Sequence, residues 1–174
     1  MLSTGGVAPS NLPSPPKTPS VSTPIAPNAL PAPPAVVDSV NVKVRGSAGY
    51  FCAGLTDAAN FLIEGNVGWG LGDNMYSGSV VVTGNASAIA GVAIRGAEIV
   101  IHGNMGSRAG QVMKAGTLLC GGNANFMAGY LMYGGRIIIL GDSGERVGED
   151  MAGGEIYVGG KVQSLGSDAK MEDI

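Results

Sequence analysis

From Gly65 to Gly159 one 19-residue unit is written five times in succession, without insertion or deletion. The units begin at Gly65, Gly84, Gly103, Gly122 and Gly141. Position 2 of each is Asn66, Asn85, Asn104, Asn123 or Asp142, and position 8 is always glycine: Gly72, Gly91, Gly110, Gly129, Gly148. Position 11 is Met75, Ile94, Met113, Met132 or Met151, and a glycine follows two or three residues later. Each unit closes on an apolar triplet at positions 16 to 18, such as Val80–Val82 or Ile137–Ile139. A strict period near 20 residues defines a solenoid, in which a unit too small to bury its own apolar face does so by stacking on its copies.

The triplet reads as a short strand whose position 16 and 18 side chains point inward and whose position 17 points out. Positions 3 and 7 are small or apolar as well (Ala86 with Ala90, Ala124 with Ala128), so each coil encloses one core. Corners fall at the glycines and at the Gly-Asn pairs, because glycine accepts positive φ freely and asparagine is the next most tolerant residue. The expected fold is all-β: a single-stranded, right-handed parallel β-helix of about seven coils. Its corners are set by Asn66, Asn85, Asn104 and Asn123 with the position 8 glycines, and the asparagines stack in a side-chain ladder. A left-handed hexapeptide helix needs multiples of six, which 19 is not. A calcium-binding nonapeptide helix needs recurring aspartates, and only Asp142 occurs among the corner residues.

The flanks differ. All ten prolines lie between Pro9 and Pro34, so residues 1–37 read as a segment that is disordered or extended alone: either a mobile tail, or an arm that orders when it wraps a neighbouring subunit. From residue 38 the alternation Val40, Val42, Val44 signals a strand. A degenerate unit then starts at Gly46, with Ala53 in place of the position 8 glycine, Ala58-Ala59 as the small pair, and Phe61 and Ile63 in the strand. The β-helix is therefore placed at 38–166, and residues 167–174 form a polar tail.

Little in the chain invites chemistry. Charged residues make up 13% and the net charge is −3, without the basic stripe that nucleic-acid binding requires. Cys52 and Cys120 are too far apart in sequence for a ligand or redox motif, and Cys120 falls on an inward position as a buried thiol. The run around Gly68, Gly70 and Gly72 imitates a nucleotide loop, yet strand rather than helix should follow it. His102 is the only histidine, and Glu145, Glu149 and Asp150 are interrupted by Arg146, which favours a solvated mixed-sign face. We therefore expect no catalytic, cofactor-binding or metal-binding residue. No run of 18 apolar residues and no secretory signal is visible, so the cytoplasm is the expected location. One feature goes further: outward position 17 reads Val81, Val100, Leu119, Ile138 and Tyr157. Such an apolar stripe seldom stays bare on a monomer and predicts a partner interface.

The unit G-N-x5-G-x2-M-x-G-G-x-I-x-I-x-G resembles the glycine-rich repeat of the C-terminal β-helix domain of glutamate synthase large subunits, and of the related β-helix subunit of formylmethanofuran dehydrogenase. Within that superfamily the text GNVGWGLGDNMYSGSVVVTGNASAIAG at Gly65–Gly91 and GGEIYVGGKVQSLGSDA at Gly153–Ala169 is most similar to the free-standing β-helix subunit of N-methylglutamate synthase (methylamine–glutamate N-methyltransferase) and to glxC-type proteins. The resemblance implies a non-catalytic scaffold in a flavoenzyme complex of glutamate metabolism. Its partners would be a glutaminase-type amidotransferase-like subunit and a synthase-like subunit carrying FMN and iron–sulfur clusters. A formylmethanofuran-dehydrogenase-type complex and a self-assembling binding module with a proline-rich recruiting arm are the alternatives.

Overall fold

A computed structural model of the chain describes residues 40–172; the proline-rich arm lies outside these residues. The described chain is all-β. It forms seven strands, β1 (Asn41–Arg45), β2 (Ala59–Glu64), β3 (Gly78–Val82), β4 (Glu98–Ile101), β5 (Thr117–Cys120), β6 (Arg136–Ile139) and β7 (Glu155–Val158). They make one parallel sheet in sequence order, and every paired residue lies 19 positions from its partner, as in Phe61↔Val80↔Ile99↔Leu118. A second ladder of single bridges runs through position 3, from Ala48 through Val67, Ala86, Met105, Ala124 and Ser143 to Val162. The molecule is a β-solenoid of about six turns with one strand per coil.

The inward positions make one continuous core. At position 16, Val80, Ile99, Leu118 and Ile137 are completely buried, and so are Val82, Ile101, Cys120 and Ile139 at position 18. Position 7 contributes Leu71, Ala90, Ala109 and Ala128, and Met75, Ile94, Met113 and Met132 fill position 11. The core opens at its ends, where Val42, Val44, Ile156 and Val158 are only partly covered.

The corners obey two different rules. Position 8 glycines have φ between 66° and 75°, the left-handed region. In the five regular units the position 1 glycines and the position 2 residues do not, which corrects the expectation of positive φ at the Gly-Asn corner; only Gly46 of the first coil does, at 110°. Close approach is what selects glycine there: a Cβ on Gly122 would meet the Gly103 carbonyl oxygen at 3.0 Å and overlap Asn104 Oδ1. The asparagine stack also differs from a pure side-chain ladder. Each Oδ1 accepts the backbone N–H of the next coil's position 2, as Asn85 N–H to Asn66 and Asn123 N–H to Asn104, both 2.8 Å. Only an oxygen acceptor is needed, so Asp142 serves Lys161 (2.7 Å) and Ser47 serves Asn66 (3.1 Å) in the same way.

Positions 6 and 10 are also left-handed, although few of them are glycine. Ile89, Arg108 and Met127 have φ of 54–59°, and Ala93, Val112 and Leu131 have φ of 53–56°. Left-handed residues at 6, 8 and 10 send their N–H groups alternately to the coils on either side. Arg108 donates to Phe126, Gly110 to Ala90 and Val112 to Tyr130, at 2.7–2.9 Å. Each non-glycine residue held there costs roughly 1–2 kcal/mol, a cost offset by the axial hydrogen bonds that these amides make.

The last coil is shorter. Val147 pairs with Leu165 across 18 residues rather than 19, Ser167 N–H bonds Glu149, and Ala169 sits over Gly148. Contacts with the stack thus continue past residue 166 into the SLGSDA segment.

Candidate functional site

Position 17 carries the strongest functional signal. The parallel register stacks Leu62, Val81, Val100, Leu119, Ile138 and Tyr157 in one line on the outer face of the sheet. Each is half-buried, because its neighbours above and below cover its flanks while its tip faces solvent. The line spans five rungs, ~24 Å at the spacing of paired strands. Lys43 closes it at the β1 end, where its Nζ lies 2.7 Å from Glu64.

A polar rail at position 15 borders this line. Asn60 Nδ2 donates to Asn41 Oδ1 (3.1 Å), Ser79 Oγ to Asn60 Oδ1 (2.8 Å) and Arg136 Nε to Glu155 Oε2 (3.1 Å). The Tyr157 hydroxyl donates to the same Glu155 oxygen at 2.9 Å. That bond, with the Arg136 guanidinium, holds the Glu155 carboxyl below the usual carboxylate range, and the same bond to Glu155 raises the Tyr157 phenol. The apolar line is thus bordered on one side by hydrogen-bonded polar groups.

The other residues singled out in the sequence occupy structural places. Gly68 and Gly70 lie beneath aromatic rings of the preceding coil: a Cβ on either would come 2.5 Å from the ring of Tyr50 or Phe51. Ring packing accounts for Gly68 and Gly70, Gly72 packs against Ile99, and strand β3 rather than a helix follows the run. His102 is exposed at the end of β4, with its backbone N–H bonded to Val82. Glu149 is buried and receives both Arg146 Nε (3.2 Å) and Nη2, a pairing that lowers its pKa; Glu145 instead accepts from Gln163 at 3.0 Å. Burial pushes the Cys52 thiol up to about 11 and raises Cys120. No three His, Cys, Asp or Glu side chains converge as a metal site among the described residues. Nor is there a helix among them long and apolar enough to cross a membrane.

Two surface groups are not apparent from the sequence pattern. One is the end cluster of Tyr50, Phe51, Leu55 and Trp69, each about half exposed, with Tyr50 and Trp69 ring centroids 6.4 Å apart. The other is position 12, where Tyr76, Arg95, Lys114 and Tyr133 follow one another in successive coils. Taking every nineteenth residue from Tyr76 brings this row out.

Comparison with known proteins agrees with the architecture. The family model described as the GXGXG motif matches residues 32–174. Among curated proteins, Protein GlxC of Rhizobium meliloti (strain 1021) is 46% identical over 43 residues, which cover 25% of this chain and 19% of that protein. The aligned stretch is thus less than a fifth of that relative.

Proposed function

This chain belongs to the GXGXG-motif family, and from that premise we propose that it is the non-catalytic structural subunit of a heteromeric, FMN-dependent, glutamate-synthase-like enzyme of the N-methylglutamate synthase type. In this role it holds an amidotransferase-like subunit against a synthase-like subunit that carries FMN and iron–sulfur clusters. The enzyme's chemistry would reside on those partners, inside a soluble cytoplasmic complex.

The position 17 line is the observation that carries this reading. A half-buried apolar row ~24 Å long, continuous through six strands and bordered on one side by hydrogen-bonded polar groups, matches a permanent contact better than a solvent face. The rest of the coil supports it: the groups that could do chemistry are dispersed (His102), ion-paired (Glu149) or buried (Cys120).

The deciding experiment is purification of the tagged full-length chain from its native source at native abundance. We expect a yellow complex with a flavin spectrum, containing an amidotransferase-like polypeptide. Leu119→Lys should release the partners while leaving far-UV circular dichroism unchanged, since lysine already occupies this row at Lys43. A colourless monomer refutes the proposal. A homo-oligomer without flavoprotein would establish the self-assembling module instead, and a molybdenum or tungsten partner the formylmethanofuran-dehydrogenase-type complex.

A further inference from the structure

A second face of the column has the composition of a recognition surface and is separated from the position 17 line by a glycine corner. Along position 12, Arg95 and Lys114 sit in adjacent coils, with Tyr76 and Tyr133 one rung beyond them on either side. The tyrosines are 51% and 58% exposed, too much for core aromatics, and both cations are exposed. Arg95 stacks on the Tyr76 ring, 5.0 Å from its centroid, and Arg108, at position 6 of the same coil as Lys114, lies 5.9 Å from the Tyr130 ring. Stacking of this kind holds the guanidinium groups in place while leaving their N–H donors free.

Charge is unbalanced on the two coils that carry Arg95 and Lys114. Lys43, Arg136 and Arg146 each have a carboxylate partner, whereas Arg95, Arg108 and Lys114 have none among the described residues. The two coils from residue 84 to residue 121 contain these three cations and a single carboxylate, Glu98, in a chain whose net charge is −3. Like charges one rung apart repel, so the free column carries an electrostatic cost that a negative ligand would remove.

We infer that the face bearing Tyr76, Arg95, Lys114 and Tyr133 is a docking surface for an extended acidic segment of a partner protein. From Tyr76 to Tyr133 the row covers three rungs, ~14 Å, the reach of four or five extended residues. The segment places carboxylates at Arg95 and Lys114 and apolar side chains against the outer tyrosines. Tyrosine and arginine are the side chains that most often dominate such contacts.

The test uses the full chain and a fluorescein-labelled heptapeptide of alternating leucine and glutamate, with its glutamine counterpart and labelled oligo-dT as controls. Fluorescence polarisation should show saturable, salt-sensitive binding of the glutamate peptide, with the glutamine peptide weaker by about tenfold or more. Combining Arg95→Glu with Lys114→Glu should abolish that preference without moving the melting temperature, because both side chains are exposed. Leu119→Lys should leave it intact, so a failure here is distinguishable from failure of the scaffold reading. Equal affinity for the two peptides, no binding at millimolar concentration, or persistence in the charge-reversed variant overturns the inference. Oligo-dT binding as tight as the glutamate peptide would likewise overturn it in favour of a general polyanion face.

Discussion

Gly110→Ala tests the geometry of the coil at one atom. Gly110 is buried with φ at 69°, and a methyl there would overlap Ile137 Cδ1, with Cγ1 at 3.2 Å. Holding alanine in the left-handed region costs ~1–2 kcal/mol, and forcing a methyl into a packed core adds ~1–3 kcal/mol. The variant should therefore lose ~2–5 kcal/mol. The chain contains its own control. Ala53 occupies position 8 of the first coil with φ 60° and is buried. At the offset that sets Gly110 against Ile137 and Gly72 against Ile99, Ala53 falls opposite Val80, which has no Cδ1. Ile137→Val alone should cost ~0.5–1.5 kcal/mol, but in the double variant the missing methyl makes room for the alanine. Urea unfolding followed by circular dichroism should then show the pair costing ~1–2 kcal/mol less than the sum of the single variants. Additivity within ~0.5 kcal/mol would refute close approach as the reason for glycine. An unchanged Gly110→Ala would refute the left-handed corner as well.

Three further outcomes follow from the coil. Asn104→Ala removes the acceptor for Asn123 N–H and should cost ~0.5–1.5 kcal/mol in urea unfolding, whereas Asn104→Asp should be nearly neutral, as Asp142 is in the same place. Glu149 has its pKa lowered by Arg146, so its contribution is present above the unfolded carboxylate value of ~4.3 and lost as pH falls through the lower folded value. Glu149→Gln should accordingly be less stable than the parent chain at neutral pH, and the gap in melting temperature should close below about pH 4. Burial raises both thiols, so Cys52 and Cys120 should resist a thiol reagent in the native chain near pH 8 and react together once it unfolds.

The architecture was legible because the repeat has no insertions: a fixed 19-residue offset determines every strand pair, and side-chain alternation determines which residues face the core. The reason for glycine was less legible. Composition cannot separate a glycine held at positive φ with a side chain packed against it, such as Gly110, from one chosen only because another backbone passes close by, such as Gly122. The left-handed residues Ile89 and Val112 were invisible, since their own side chains argue against positive φ and only bonds to neighbouring coils hold them there. The position 17 line could be read from one unit, but the position 12 row emerges only when different residue types in successive units are seen as neighbours.

That contrast bears on function. The backbone of each coil is committed to the coils on either side, through the strand ladder and the axial hydrogen bonds. What remains free to vary are the outward positions. There the chain places an unbroken apolar line in one row and unpaired cations between tyrosines in another. On the proposed reading, two dissimilar surfaces on one column would fix the separation and orientation of the partners that bind them. The proposed role as a spacer requires the two faces to keep their distance, and axial hydrogen bonds on each coil's left-handed arc fix the stacking on which that distance depends.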